Sequence, residues 1–290
     1  MSDVSVPDTA SAGPVDALQR KDNWWGGTLW FFCAFSLFGV WTTFRAFQNN
    51  FYATGTQPSD GQMQVASYSL RHVFAGFSHY LSPFYSPTIH LPWHLAGFGI
   101  SPALLILIFP LSFRLSCYYY RRSIYRAYLL DPAGCAISEP EPLRKRRFKR
   151  YTGERFFPLI AQNFHRFAFY AAVVFIVILW KDALDGFIFA GPNGGLHFGV
   201  GVGSLVLLAN IVLLSGYTFG CHSWRHLIGG NINCFSCQLT NHTRHGLWKK
   251  VTFLNERHGR FAMWSLVSVG VADLYIWLVC TGHIIDIRFF

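Results

Sequence analysis

Between Ser215 and Cys237 the chain reads S-G-Y-T-F-G-C-H-S-W-R-H-L-I-G-G-N-I-N-C-F-S-C, which packs Cys221, His222, Arg225 and His226 into little more than one helical turn. Thiols and imidazoles are metal ligands, and beside an apolar run they are costly unless ligated or paired. In a helix His222 and His226 share a face, and Cys221 projects about 100° away from His222. A purely structural account also fits: Arg225 snorkels, His226 caps the helix C-terminus and Cys221 fills a core. The C-x-x-C pair Cys234 and Cys237, after a Gly-Gly turn, is a second metal signal.

The elements that must hold these residues are membrane helices. With 52% hydrophobic and only 13% charged residues, the chain is too apolar for an ordinary soluble domain. Its net charge of +10 resides in loops beside apolar runs, the pattern of cytoplasmic membrane flanks rather than of nucleic-acid binding. The seven cysteines are scattered through apolar segments and inner loops, which favours metal ligation or burial over bridging.

Residues 1–22 read as a disordered cytoplasmic tail without a cleavable signal, and 23–290 as one helical bundle. Five spans are expected: Thr28 to Phe44, ended by Arg45; Leu95 to Cys117, bent by Pro102 and Pro110; Phe167 to Trp180; Gly199 to Phe219; and Phe261 to Cys280, which carries Asp273. Ala46 to His94 is an outer segment in which Ser69 to Tyr80 suits an interfacial helix, and Asp182 to Gly195 is an outer turn. Basic loops 118–165, with R-K-R-R-F-K-R at Arg144 to Arg150, and 221–260 place the amino terminus inside and the carboxy terminus outside. The basic loops suit anionic lipid head groups or a soluble partner subunit. The fold class is therefore an all-α integral membrane protein of about five transmembrane helices.

This topology brings Cys117, His165, Cys221, His222, His226 and His258 to one inner layer. Two thiolates with two imidazoles make the ligand set of a Rieske-type [2Fe-2S] cluster or of a tetrahedral zinc site. Cys117 and Cys221 are preferred as the thiolates because they are fixed at helix ends. His226 is the first choice of imidazole, with His222 and His258 competing for the second place. His165, Arg166, Tyr118 and Trp224 are candidates for a quinone pocket, which needs a donor to the quinone carbonyl and an aromatic wall. Tyr118 and Trp224 also read as interface-belt aromatics.

The run G-C-H-S-W-R-H-L-I-G-G, with C-Y-Y-Y-R-R at Cys117, F-P-L-I-A-Q-N-F-H-R at Phe157 and L-N-E-R-H-G-R-F-A-M-W-S-L at Leu254, resembles the large membrane-anchor subunit of actinobacterial-type succinate dehydrogenases. That resemblance implies a bacterial inner-membrane subunit of respiratory complex II. It further implies a Rieske-type cluster in place of haem, a quinone bound nearby, and a flavoprotein and an iron–sulfur subunit docked on the cytoplasmic face. Succinate would be oxidised in a partner, and this chain would be the last relay to quinone.

Two rival readings stand beside it. A haem b anchor needs histidines on facing helices, and His94 with His197 is the pair that the topology offers. A proton-linked transporter, or a purely structural anchor, would give Asp273 its place inside a span.

Overall fold

The computed structural model describes residues 25–54, 80–87, 94–95, 98–99, 101–130, 155–157, 159–190, 196–230, 232–234 and 236–289. The expected amino-terminal tail, the interfacial helix apart from Tyr80, Cys135 and the Arg144 to Arg150 run lie outside these residues.

Eight α-helices are seen among the described residues: α1 Gly26–Gln48, α2 Pro102–Leu115, α3 Tyr118–Tyr128, α4 His165–Asp185, α5 Val202–Phe219, α6 His222–Gly229, α7 Leu239–Glu256 and α8 His258–Cys280. A 3₁₀ turn, Leu159–Phe164, leads into α4. Two antiparallel hairpins are also seen among the described residues: β1 His94–Leu95 with β2 Phe98–Gly99, and β3 Ile188–Ala190 with β4 Leu196–Phe198. Among the described residues, four helices are long and apolar enough to cross a membrane, or five if the broken pair α2 and α3 counts as one span. The chain is a mostly helical, multi-pass membrane protein.

Several boundaries depart from the sequence reading for local reasons. Pro102 begins α2 instead of bending it, because Ser101 caps the helix and its Oγ accepts from the Ala103 N–H. Leu95 lies in a hairpin, so the expected second span loses its first turns. Arg45 does not end α1, which runs on to Gln48, because the guanidinium is buried and paired instead of reaching water. The expected outer turn after α4 folds as the β3–β4 hairpin, and the Val202 and Phe289 N–H groups donate to the Ile287 and Val200 carbonyls, which pins the carboxy-terminal segment to the start of α5. The basic loop 221–260 is helical through α6 and α7.

Two compact units divide the chain, Met1–Phe32 with Arg122–Tyr151 and Cys33–Arg121 with Thr152–Phe290. In the first, the Phe32 and Tyr128 rings pack 4.9 Å apart, and the Tyr128 hydroxyl donates to the Phe32 carbonyl. In the second, α5 packs chiefly against α8 and α4, and α4 also packs against α2. Gly216 lets Phe261 of α8 pack directly on α5, since a Cβ there would lie 2.5 Å from the Phe261 ring. Apolar side chains such as Leu37, Val40, Val174 and Val177 face outward, as lipid-facing positions do.

Near one end of this unit, Asp273 of α8 is fully buried and accepts from Arg45 Nε at 2.8 Å, Arg45 Nη2 at 3.3 Å, Trp41 Nε1 at 2.8 Å and Ser82 Oγ at 2.5 Å. Arg45 is equally buried and spends its other N–H groups on Gln48 Oε1 and the Asn50 and Phe51 carbonyls. Asp273, which the transporter reading singled out, is thus one half of a clamp between α1 and α8.

Candidate metal centre

At the opposite end of the second unit, four helices begin around one point. Cys117 is the residue before α3, and its carbonyl accepts from the Arg121 N–H as an N-cap's does. Cys221 is the N-cap of α6, with Sγ accepting from the Ser223 N–H at 3.4 Å. His165 is the first residue of α4, and His258 the first of α8. Helix N-termini direct free N–H groups and positive potential at this layer, which favours thiolate over thiol.

The four side chains form two thiol–imidazole pairs. His165 Nε2 lies 3.0 Å from Cys221 Sγ, and His258 Nε2 lies 3.5 Å from Cys117 Sγ. Both cysteines are buried. Burial pushes the Cys221 thiol up to about 11, against the helix-terminus N–H groups that favour its ionised form. Ser116 Oγ lies 3.0 Å from His165 Nδ1 and fixes that ring, as outer partners fix metal-binding imidazoles. The His258 Nδ1 atom is buried and has no hydrogen-bond partner.

Aromatic rings close the layer from the membrane side. Phe113 stacks on His165 at 4.8 Å, Tyr217 stacks on His258 at 5.0 Å, and the two aromatic rings lie 5.2 Å apart. Arg114, on α2, bonds to Tyr120 Oη, to the Ala262 carbonyl and to Ser265 Oγ, tying the end of α2 to α8.

His222 and His226 do not join this set. They share an exposed face of α6 with their Nε2 atoms 2.9 Å apart, so helical spacing pairs them with each other. Partial burial, with His226 and Arg225 close by, holds His222 below the usual histidine range. Cys234 and Cys237 form a disulfide, so the C-x-x-C pair offers no free thiolate, whereas Cys33, Cys117, Cys221 and Cys280 are free thiols. Of the quinone candidates, His165 faces Cys221, Arg166 is exposed, Tyr118 is exposed with the Arg121 guanidinium 4.0 Å above its ring, and Trp224 packs on Phe169 and Phe219. His94 and His197 lie in β1 and β4 of separate hairpins, so this pair lacks the facing helices that bis-histidine haem ligation requires.

Two buried thiols and two imidazoles fit a group that takes both ligand types, while no three His, Cys, Asp or Glu side chains among the described residues gather round a single ion position. The sequence reading passed over Ser116, Phe113 and Tyr217. His165 was within reach of a simple signal: the spans at this end alternately end in cysteine and begin in histidine.

A cavity of about 430 Å³ adjoins the layer. Its walls are almost wholly apolar and come from α1, α2, α4, α5 and α8, running from Phe47 and Leu104 to Phe113, Arg114, Tyr217 and Thr218. The rings that wall its inner end are those that stack on His165 and His258.

These features define a multi-pass membrane subunit with an internal thiol–imidazole layer. Residues 62–282 match the family model of the actinobacterial succinate dehydrogenase subunit SdhC, and the chain belongs to that family. In structure it is similar to a chain of the Mycobacterium smegmatis Sdh1 complex in the apo form, with 35% sequence identity, 98% of each chain covered and a TM-score of 0.71. No curated protein matches the chain. The chain is thus a membrane subunit of a succinate dehydrogenase.

Proposed function

We propose that this subunit carries the final electron relay of its complex, with Cys117, Cys221, His165 and His258 as the four ligands of a Rieske-type cluster. The observation that carries the reading is the pairing of each buried thiol with one imidazole, all four at helix N-termini. His165 therefore takes the place of His226, and His258, which competed with His222 for the second place, is kept. When bound, the cluster would supply one-electron storage at a potential raised by imidazole ligation.

The remaining roles belong to the chain's own side chains. Cys117 and Cys221 bind as thiolates, and both imidazoles bind through Nε2. Ser116 holds the His165 ring in place, and Phe113 with Tyr217 keeps water from the layer. Quinone occupies the apolar cavity, its head toward Phe113 and Tyr217 and its isoprenoid tail along α1 and α2; the cavity's volume suits a small molecule of that size. Flavoprotein and iron–sulfur partners dock at the thiol–imidazole end, which lies on the cytoplasmic side.

Iron and acid-labile sulfide assays on the purified complex test this reading. Cys117→Ala and Cys221→Ala should each remove one cluster's worth of iron and sulfide while the soluble partners keep theirs. Unchanged iron and sulfide in both variants would remove these residues from the ligand set.

A further inference from the structure

Tyr217 is anomalous among the buried tyrosines. Tyr52, Tyr80, Tyr120 and Tyr217 are all less than 2% exposed. Tyr52 donates to the Arg45 carbonyl, Tyr80 to Asp286 and Tyr120 to the Ala262 carbonyl. The Tyr217 hydroxyl, equally buried, has no formed hydrogen bond. A phenylalanine would fill the same space without stranding a donor, so the hydroxyl calls for an explanation.

The ring cannot swing to seek a partner elsewhere. His258 stacks on one part of it, Phe113 and Tyr120 pack at 5.2 and 5.9 Å, and the Arg114 guanidinium lies 5.0 Å from its centroid. His258, on which the Tyr217 ring stacks, has its Nε2 3.5 Å from Cys117 Sγ, so the ring and that sulfur are neighbours, and the hydroxyl interacts with the sulfur. A protonated thiol is a weak acceptor, whereas a thiolate bound to metal is a strong one.

We propose that Tyr217 donates a hydrogen bond to the Cys117 sulfur when Cys117 ligates the cluster, and so raises the cluster's reduction potential. This rests on the ligand set proposed above. The bond stabilises the reduced state, which carries one more negative charge, more than the oxidised state. No bond to Tyr217 is made or broken, and it keeps its proton while one electron is gained and lost at the cluster. Tyr217 is a positioning residue that sets how readily the relay accepts its electron.

The test is an EPR-monitored redox titration of the assembled complex carrying Tyr217→Phe, which keeps the ring and its stacking. The cluster signal should persist while the reduced-to-oxidised ratio at fixed potential falls about tenfold, equivalent to 59 mV for a one-electron couple. A persistent signal with an unchanged midpoint would overturn the proposal and leave the ligand assignment intact. Proton hyperfine spectroscopy of the wild-type complex in light and heavy water gives a second readout. It should reveal a strongly coupled exchangeable proton that is missing in Tyr217→Phe; where that variant loses its cluster, the wild-type measurement decides, and absence of such a proton there overturns the proposal. Absence of any cluster signal in wild type would instead remove the underlying ligand reading.

Discussion

The two ends of the bundle treat buried polar groups in opposite ways. Asp273 receives donors from Arg45, Trp41 and Ser82, and Arg45 has all its directions filled by Asp273, Gln48 and two backbone carbonyls. At the thiol–imidazole end, by contrast, two thiols are buried, and neither His258 Nδ1 nor the Tyr217 hydroxyl has a hydrogen-bond partner. A clamp made wholly by the chain needs nothing added. A layer with spare polar atoms and soft ligands is what the proposed cluster would complete.

The sharpest way to break this contrast is to unbalance the clamp. Asp273→Ala leaves the Arg45 charge buried alone and should cost about 3–5 kcal/mol, seen as a lower melting temperature and poor recovery of the complex. Activity per assembled complex should stay near wild type. Adding Arg45→Met, which removes the stranded charge, should restore much of the stability. If Asp273→Ala instead abolished quinone reduction in a fully stable complex, the residue would have a functional role and the contrast would fail.

A milder change probes the open layer. Ser116→Ala frees His165 Nδ1, and loss of such an outer partner weakens metal binding by about 10–100-fold. Faster loss of iron to a chelator, at unchanged melting temperature, is the expected result. Smaller still is the effect of Ala172→Leu, which places three extra carbons at the cavity wall. The KM for quinone should rise about tenfold, within the range for small steric changes in apolar pockets. Succinate oxidation with a soluble electron acceptor should not change. An unaltered quinone KM would move the quinone elsewhere.

Much of the architecture was legible because lipid imposes it. The apolar runs at Phe167 to Trp180, Gly199 to Phe219 and Phe261 to Cys280 lie within or across the helices observed. Helix starts were less legible: His165 lies one residue before Arg166 and His258 two before Arg260, the last charged residues ahead of the apolar runs, and a hydropathy reading trims such polar first turns. The sequence did bring both histidines to the cysteine layer, with His258 among the metal candidates and His165 among the quinone candidates, but it did not pair either with a particular thiol. Once both histidines are first residues of spans, they fall beside the cysteines that follow Ser116 and Gly220. His226 looked better from sequence because it shares a short helix with Cys221, yet i, i+4 spacing turns it toward His222 and the exposed side. Asp273 and Arg45 are 228 residues apart, and only tertiary packing could pair them. The Cys234–Cys237 disulfide likewise had no signature that distinguished it from a metal hook.

The central claim is the identity of the imidazole ligands. Low-temperature EPR with nitrogen hyperfine spectroscopy, on reduced complexes carrying single His→Ala changes, tests it most directly. The account predicts a cluster signal with two coupled histidine nitrogens in wild type, preserved in His222→Ala and His226→Ala, and lost or replaced in His165→Ala and His258→Ala. A signal that survives unchanged in His165→Ala and His258→Ala but disappears in His226→Ala would contradict it.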